Sequence, residues 1–306
     1  MALRLYMPKA WCQDRRRCDK AGVPADCRAF RSKGAIALDE LDRLRAAGVR
    51  FGCALADAGY GSSAAFRRGL ASRVPLWAVG IPKTQKVYSA AVELCWPAPR
   101  GKGRPRRHGV PNQRPVTAAT ALKHVPWRPI QWRQGTKGPL TASFAARRVR
   151  VAEGPQSETG HRLPGEELWL VGERRSSGER KYYLASHPAE TPLRTLAATI
   201  KAHWVCEQAH QQMEEELGLD HFEGRSWAGL HHHALMVLIA FAFLQHLRLQ
   251  QSGQRGKNLH HQSATPTHLA RRPSRAAGAP DRSRPPAMSQ VPRGHRPAQA
   301  RMKVPK

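Results

Sequence analysis

A chain of 306 residues with 51 Lys and Arg against 22 Asp and Glu, a formal net charge of +29, is suited to facing a polyanion, and nucleic acid is the expected partner. Its apolar fraction of 41% is enough for a core, which excludes wholesale disorder, and its length admits one large domain or two modest ones. MALRLYMPKAWCQDRRR lacks the apolar stretch and cleavage site of a secretory signal, and the six cysteines form no CxxC pair, so reduced thiols in a cytoplasmic, nucleoid-associated protein are expected.

Along the chain, Cys12, Cys18 and Cys27 match no common zinc-ligand spacing. Residues 35–48 place Ile36, Leu38, Leu41 and Leu44 at near-helical spacing and close on Gly48, a C-cap signal. VRFGCALAD reads as a strand ending on Asp57. The turn AGYGSS follows, AAFRRGLAS resumes as helix, and VPLWAVGIP is the next buried strand. This order argues for an α/β sheet. From residue 83 the character changes: between Leu94 and Ala152 there is no acid, while 13 Lys or Arg appear among Trp96, Trp127 and Trp132. Gly and Pro mark 97–116 as a flexible loop. ASFAARRVRVA, ELWLVGER and KYYLAS read as strands, and 83–190 as a β-rich basic insertion in which the tryptophans pack the core rather than stack on bases.

Residues 192–216 predict one long helix with Thr191 as N-cap and Pro192 at its first position, ended by a left-handed Gly218 with Leu219 as the apolar contact beyond. Ser226 can cap a helix from 227 to about 250. The apolar run ALMVLIAFAFL (234–244) has 11 residues, too few to cross a bilayer, and reads as a buried helix, so no membrane partner is expected. After Gly253 come 12 basic residues, eight prolines and a single acid, Asp281, which predicts a disordered basic tail. The expected domains are 1–82, the N-terminal part of a catalytic domain; 83–190, the insertion; 191–250, its C-terminal helical part; and 251–306, the tail.

Two carboxylates stand out against this basic background. Asp57 closes a buried strand, where α/β folds present functional groups, and Glu207 sits on the long helix within WVCEQAHQQMEEELGLDHFEGRSW. Brought together, they can hold divalent metal, which activates a water or 3′-hydroxyl and stabilises the leaving oxygen of a phosphodiester. The plainer readings are a turn-capping Asp and a solvated helix Glu. Glu207 and His210 also form the E-x-x-H of di-iron bundles, but no second pair is spaced to complete one. Glu214, Glu215 and Glu216 read as a solvated last turn that opposes the helix dipole.

ALADAGYG and WVCEQAHQQMEEELGLDHFEGRSWAGLHHHALMVLIAFAFLQ resemble bacterial insertion-sequence transposases of the DDE type, whose catalytic domain is RNase H-like; WRQGTKGPL and KYYLAS are similar to the insertion of such enzymes. The resemblance runs over about residues 3–249. It implies an RNase H-like mixed sheet interrupted by a β-rich basic insertion, with Asp57 as the second catalytic Asp and Glu207 as the catalytic Glu. Those acids would bind two Mg²⁺ (or Mn²⁺) ions for nicking and strand transfer on double-stranded DNA, at transposon ends and target, by paired protomers. Arg225 matches a DNA-phosphate contact, and Lys201, Arg133, Lys137, Arg147 and Arg148 are the other candidate DNA contacts. The chain also departs from the pattern. The segment matching LRLYMPKAW is a later strand of the family's domain, so the strand with the first catalytic Asp is absent, and Glu214 stands where relatives carry Lys. The expectation is an N-terminally truncated, inactive transposase with an unpaired sheet edge and an exposed apolar face. The alternative is a non-enzymatic DNA-binding remnant.

Overall fold

The computed structural model describes residues 4–96, 108–135, 138–156 and 160–256. The chain divides after Ala264, and the description below concerns the first unit, Met1–Ala264. The tail from 257 onward, the loop core 97–107 and the candidate contact Lys137 lie outside the described residues.

The segment LRLYMPKAW is not a strand. Arg4–Pro8 carries no regular structure, and α1 (Lys9–Gln13) begins at once, because Pro8 has no N–H for a ladder while its carbonyl accepts from Trp11 N (2.9 Å). Helix α2 (Arg15–Ala21) starts where Asp14 accepts from Arg17 N and stops at the left-handed Gly22. Its Cys18 and Ala21 pack with Met7, Val23 and Trp227. Helix α3 (Lys33–Ala46) is capped by Ser32 Oγ on Ala35 N. It ends as its sequence reads, with Gly48 at φ +79° and Val49 N donating to Leu44 O.

The strand expected over 49–57 contracts to β1 (Ala54–Ala56), which sits at the sheet edge and has one neighbour. Asp57 follows directly and caps the one-turn helix α4 (Ala58–Gly61), so the expected turn is helical. Then come α5 (Ala64–Ala71), β2 (Trp77–Ile81, buried throughout), β3 (Lys86–Ser89), the small pair β4 (Leu94–Cys95) and β5 (Val110–Pro111), β6 (Val116–Thr117), and α6 (Ala118–Ala121). The long strands follow: β7 (Arg128–Gly135), β8 (Gly138–Gln156), β9 (Arg162–Arg174) and β10 (Arg180–Ala185). The strand order is β1-β2-β10-β9-β8-β3-β6, with β7 also on β8. Among the described residues only the β1–β2 pairing is parallel, so the fold is mixed α/β, as expected, and β7–β10 are continuous with β1–β2 in one sheet.

Apolar residues fill both faces of this sheet. On one, Val79, Val87, Val149, Val151 and Leu170 meet Phe66 and Leu70 of α5 and Ala118 of α6. On the other, Ala78, Phe144, Val171 and Ala185 meet Leu196, Ala197 and Ile200 of α7 (Leu193–Lys201). Trp132 packs into the second cluster and Trp127 lies against Gly172, but Trp96 is 65% exposed and corrects the expectation that all three tryptophans fill the core.

The single helix expected over 192–216 is two. Helix α7 ends at Lys201, and α8 (His203–Glu215) starts beyond Ala202. The break falls where the packing partner changes: α7 lies on the sheet, whereas Ala209 and Met213 of α8 pack on the last helix, α9 (Trp227–Gly256). Pro192, not Thr191, occupies the N-cap of α7, without a side-chain cap bond. Gly218 does adopt φ +71°, and Ser226 Oγ accepts from Gly229 N at the start of α9. The buried-helix reading of 234–244 holds for one face only. Ala234, Val237 and Phe241 are buried, but Leu235, Met236, Ile239 and Phe243 are each more than half exposed. By length and apolar composition α9 is able to cross a membrane, with mean hydropathy 1.5 over its most apolar window.

Candidate active site

The motif DAGYG builds the first wall of the site. Asp57 leaves β1 with extended backbone, and its Oδ1 accepts from Tyr60 N (3.2 Å), which starts α4. The helix then runs tight against β2. A Cβ on Gly61 would lie 2.0 Å from Gly80 O, and one on Gly80 would lie 2.8 Å from Ala58 N. Two glycines therefore allow a backbone-to-backbone approach that positions the Asp57 carboxylate at the end of the sheet. Arg67 of α5 is buried and donates to Gly61 O and to Glu153 of β8, tying the turn to the centre of the sheet.

Glu207 comes from the first two turns of α8. Its side chain is 65% exposed, with His203 Nδ1 3.3 Å away one turn back. Asp57 and Glu207 line the same cavity, of about 520 Å³. The other charged walls are cationic: Lys83 after β2, Arg175, Arg180 and Lys181 of the β9–β10 hairpin, and Lys201 at the end of α7. Arg175 and Lys181 already face Glu179, at 3.1 and 3.8 Å. Lys83 and Arg180 have no carboxylate partner among the described residues.

Below the cavity lies a fully buried acid, Glu173 of β9. It accepts from Lys201 Nζ (2.8 Å), Arg175 Nε (3.3 Å) and Tyr183 OH (2.9 Å). Burial alone would raise its pKa. The hydrogen bond and charge of Lys201, with Tyr183 and Arg175, outweigh burial and hold the carboxyl below the usual glutamate range. Burial drives the Tyr183 phenol upward, reinforced by Glu173.

The other predicted contacts scatter. Lys201 lines the cavity but is held by Glu173 and lies 4.6 Å over the Trp132 ring. Arg133 stacks 4.0 Å over Trp204, itself a cavity residue. Arg147 and Arg148 point to opposite faces of β8: one donates to Ala121 O near α6, the other binds Glu167 (2.7 Å) and His187 O. Arg225 lies elsewhere, in the α8–α9 connection beside α2. Sequence reasoning missed Lys83, Arg175, Arg180, Lys181 and the buried Glu173. The only signal for the hairpin cations is the charge run GERRSSGERK.

The donor set of the cavity is two exposed carboxylates and one imidazole. Among the described residues, no group of three or more His, Cys, Asp or Glu is placed to hold a metal ion. No curated protein matches the chain significantly. Residues 1–139, which carry Asp57 and its glycine-supported turn, match the family model described as DDE superfamily endonuclease.

Proposed function

We propose that the chain engages double-stranded DNA at the Asp57–Glu207 cavity as a transposase does, with Asp57 and Glu207 holding a divalent cation against a backbone phosphate. The observation that carries this reading is that two exposed carboxylates, distant in sequence, line one cavity whose other charged walls are cationic. Hard oxygen donors suit Mg²⁺ or Mn²⁺, and two carboxylates completed by substrate phosphate suffice for one such ion. They fit one ion better than two, because no third ligand joins them among the described residues. A bound ion would neutralise charge on the phosphate under attack and orient the attacking water or 3′-hydroxyl.

The chain's own residues do the rest. Lys83 and Arg180 bind flanking phosphates with charge that no acid among the described residues consumes. His203 steadies the Glu207 carboxylate, and the Arg133–Trp204 stack stiffens the first turn of α8. We also propose RNase H-like topology around the cavity, with the β-rich stretch 83–190 as an elaboration of the same sheet. Paired protomers on two DNA ends and nucleoid association belong to the same reading.

The test is nicking of supercoiled plasmid by purified protein in Mg²⁺ or Mn²⁺, beside a Glu207→Gln variant. Nicking by the wild type that is lost in the Glu207→Gln variant, with DNA binding unchanged, supports the reading. Equal nicking by both would expose a contaminating nuclease. Binding without nicking leaves the second reading, a non-enzymatic DNA-binding protein, whose support is that no third ligand joins the two carboxylates among the described residues.

A further inference from the structure

A second concave surface, of about 960 Å³, lies between α2 and the α8–α9 connection. Its walls carry Arg16, Arg17 and Lys20 on one side and Arg225 on the other, with Trp11 and Asp14 at the margin. The surface is held from behind. Cys18 and Ala21 turn inward onto Met7, Val23 and Trp227, which leaves Arg16, Arg17 and Lys20 exposed on the outer side of α2. Ser226 caps α9 and fixes the residue before it, Arg225, at the opposite rim.

Two acids lie nearby. Asp19 pairs with Arg28 (2.8 Å), and Asp14 accepts from Arg17 N as the cap of α2. Among the described residues no carboxylate pairs with Arg16, Arg17, Lys20 or Arg225. Four converging cations outnumber the one carboxylate in the lining, Asp14, and a polyanion relieves their mutual repulsion. The volume exceeds that of a single phosphate and suits several consecutive nucleotides. Trp11 is no free platform for an unstacked base, because the Arg17 guanidinium lies 4.3 Å over its ring. The surface therefore favours paired backbone over splayed single strands.

We propose that this groove is a phosphate track for duplex DNA, separate from the Asp57–Glu207 cavity, which grips the backbone without reading sequence. The inference rests on DNA as the partner, but not on cleavage at Asp57 and Glu207.

The experiment is fluorescence anisotropy of the full chain with duplexes of two unrelated sequences across a salt series. Each phosphate contact contributes a slope of about 0.9 in log K against log salt. Arg16→Ala/Lys20→Ala/Arg225→Ala is expected to lower the slope by about 2–3 and low-salt affinity by at least about 30-fold, equally for both sequences. Arg16→Lys/Arg225→Lys should keep the slope. Should the triple variant not fold, Arg225→Ala alone, with an expected slope loss of about 0.9, decides. An unchanged slope overturns the proposal, as does an Arg→Lys variant as weak as Ala, or a loss confined to single-stranded DNA or RNA. If Glu207→Gln proves that no cleavage resides in the chain while the triple variant still loses slope, the functional reading fails and the groove stands. The reverse pattern sinks the groove alone.

Discussion

Glu173 and Glu207 are two glutamates near the α7–α8 break with opposite environments. Glu173 is fully buried, and Lys201, Arg175 and Tyr183 consume its charge and lone pairs. Glu207 is 65% exposed, with one neighbouring imidazole, facing a cavity rich in cations. A carboxylate taken out of water must be matched by internal donors, and once matched it has nothing left to offer a ligand. A carboxylate left in water keeps its charge available. The difference separates a residue that holds the site's wall from one able to act within it.

Removing each acid tests this contrast. Glu173→Ala strands Lys201, only 14% exposed, and the Tyr183 hydroxyl, and is expected to cost about 3–5 kcal/mol in urea unfolding. Glu207→Ala should stay within about 0.5 kcal/mol; a comparable loss there would break the comparison. Acidity sharpens it. Because the folded pKa of Glu173 is depressed, its stabilisation is present above the ordinary glutamate pKa and is lost as pH falls through the folded value. Stability curves of wild type and Glu173→Gln should converge on acidification.

Smaller effects fall on the turn that carries Asp57. Gly61→Ala drives a methyl into Gly80 O, which is backbone and cannot rotate away, at an expected cost of about 1–3 kcal/mol by thermal melt. Asp57→Ala loses the cap of α4 for about 1 kcal/mol, whereas Asp57→Asn keeps it within a few tenths. Both should lose any metal-dependent nicking, which would separate the capping and ligand roles of one side chain. Arg133→Ala, removing the stack on Trp204, should cost about 0.5–1 kcal/mol and leave the fold intact.

What the sequence determines by itself is local, since the forces involved act within a few residues. Gly48 and Gly218 adopt the left-handed conformation their positions announce, Ser226 caps α9, and the apolar runs of β2 and β8–β10 form strands because a buried pleated sheet suits them. Asp57 and Glu207 stand out in sequence as rare acids in a basic chain. Tertiary packing decided the rest. The break at Ala202 exists because α7 rests on the sheet and α8 on α9, a change of partner that the uninterrupted helical pattern of 192–216 does not carry. The half-exposed face of α9 is likewise invisible in an evenly apolar run. The cationic walls around Asp57 and Glu207 come from a hairpin and a helix end distant in the chain, and the burial of Glu173 depends on Lys201 reaching it. Charge and local conformation are written residue by residue; which charges are neutralised and which stay free depends on distances that only the folded sheet sets.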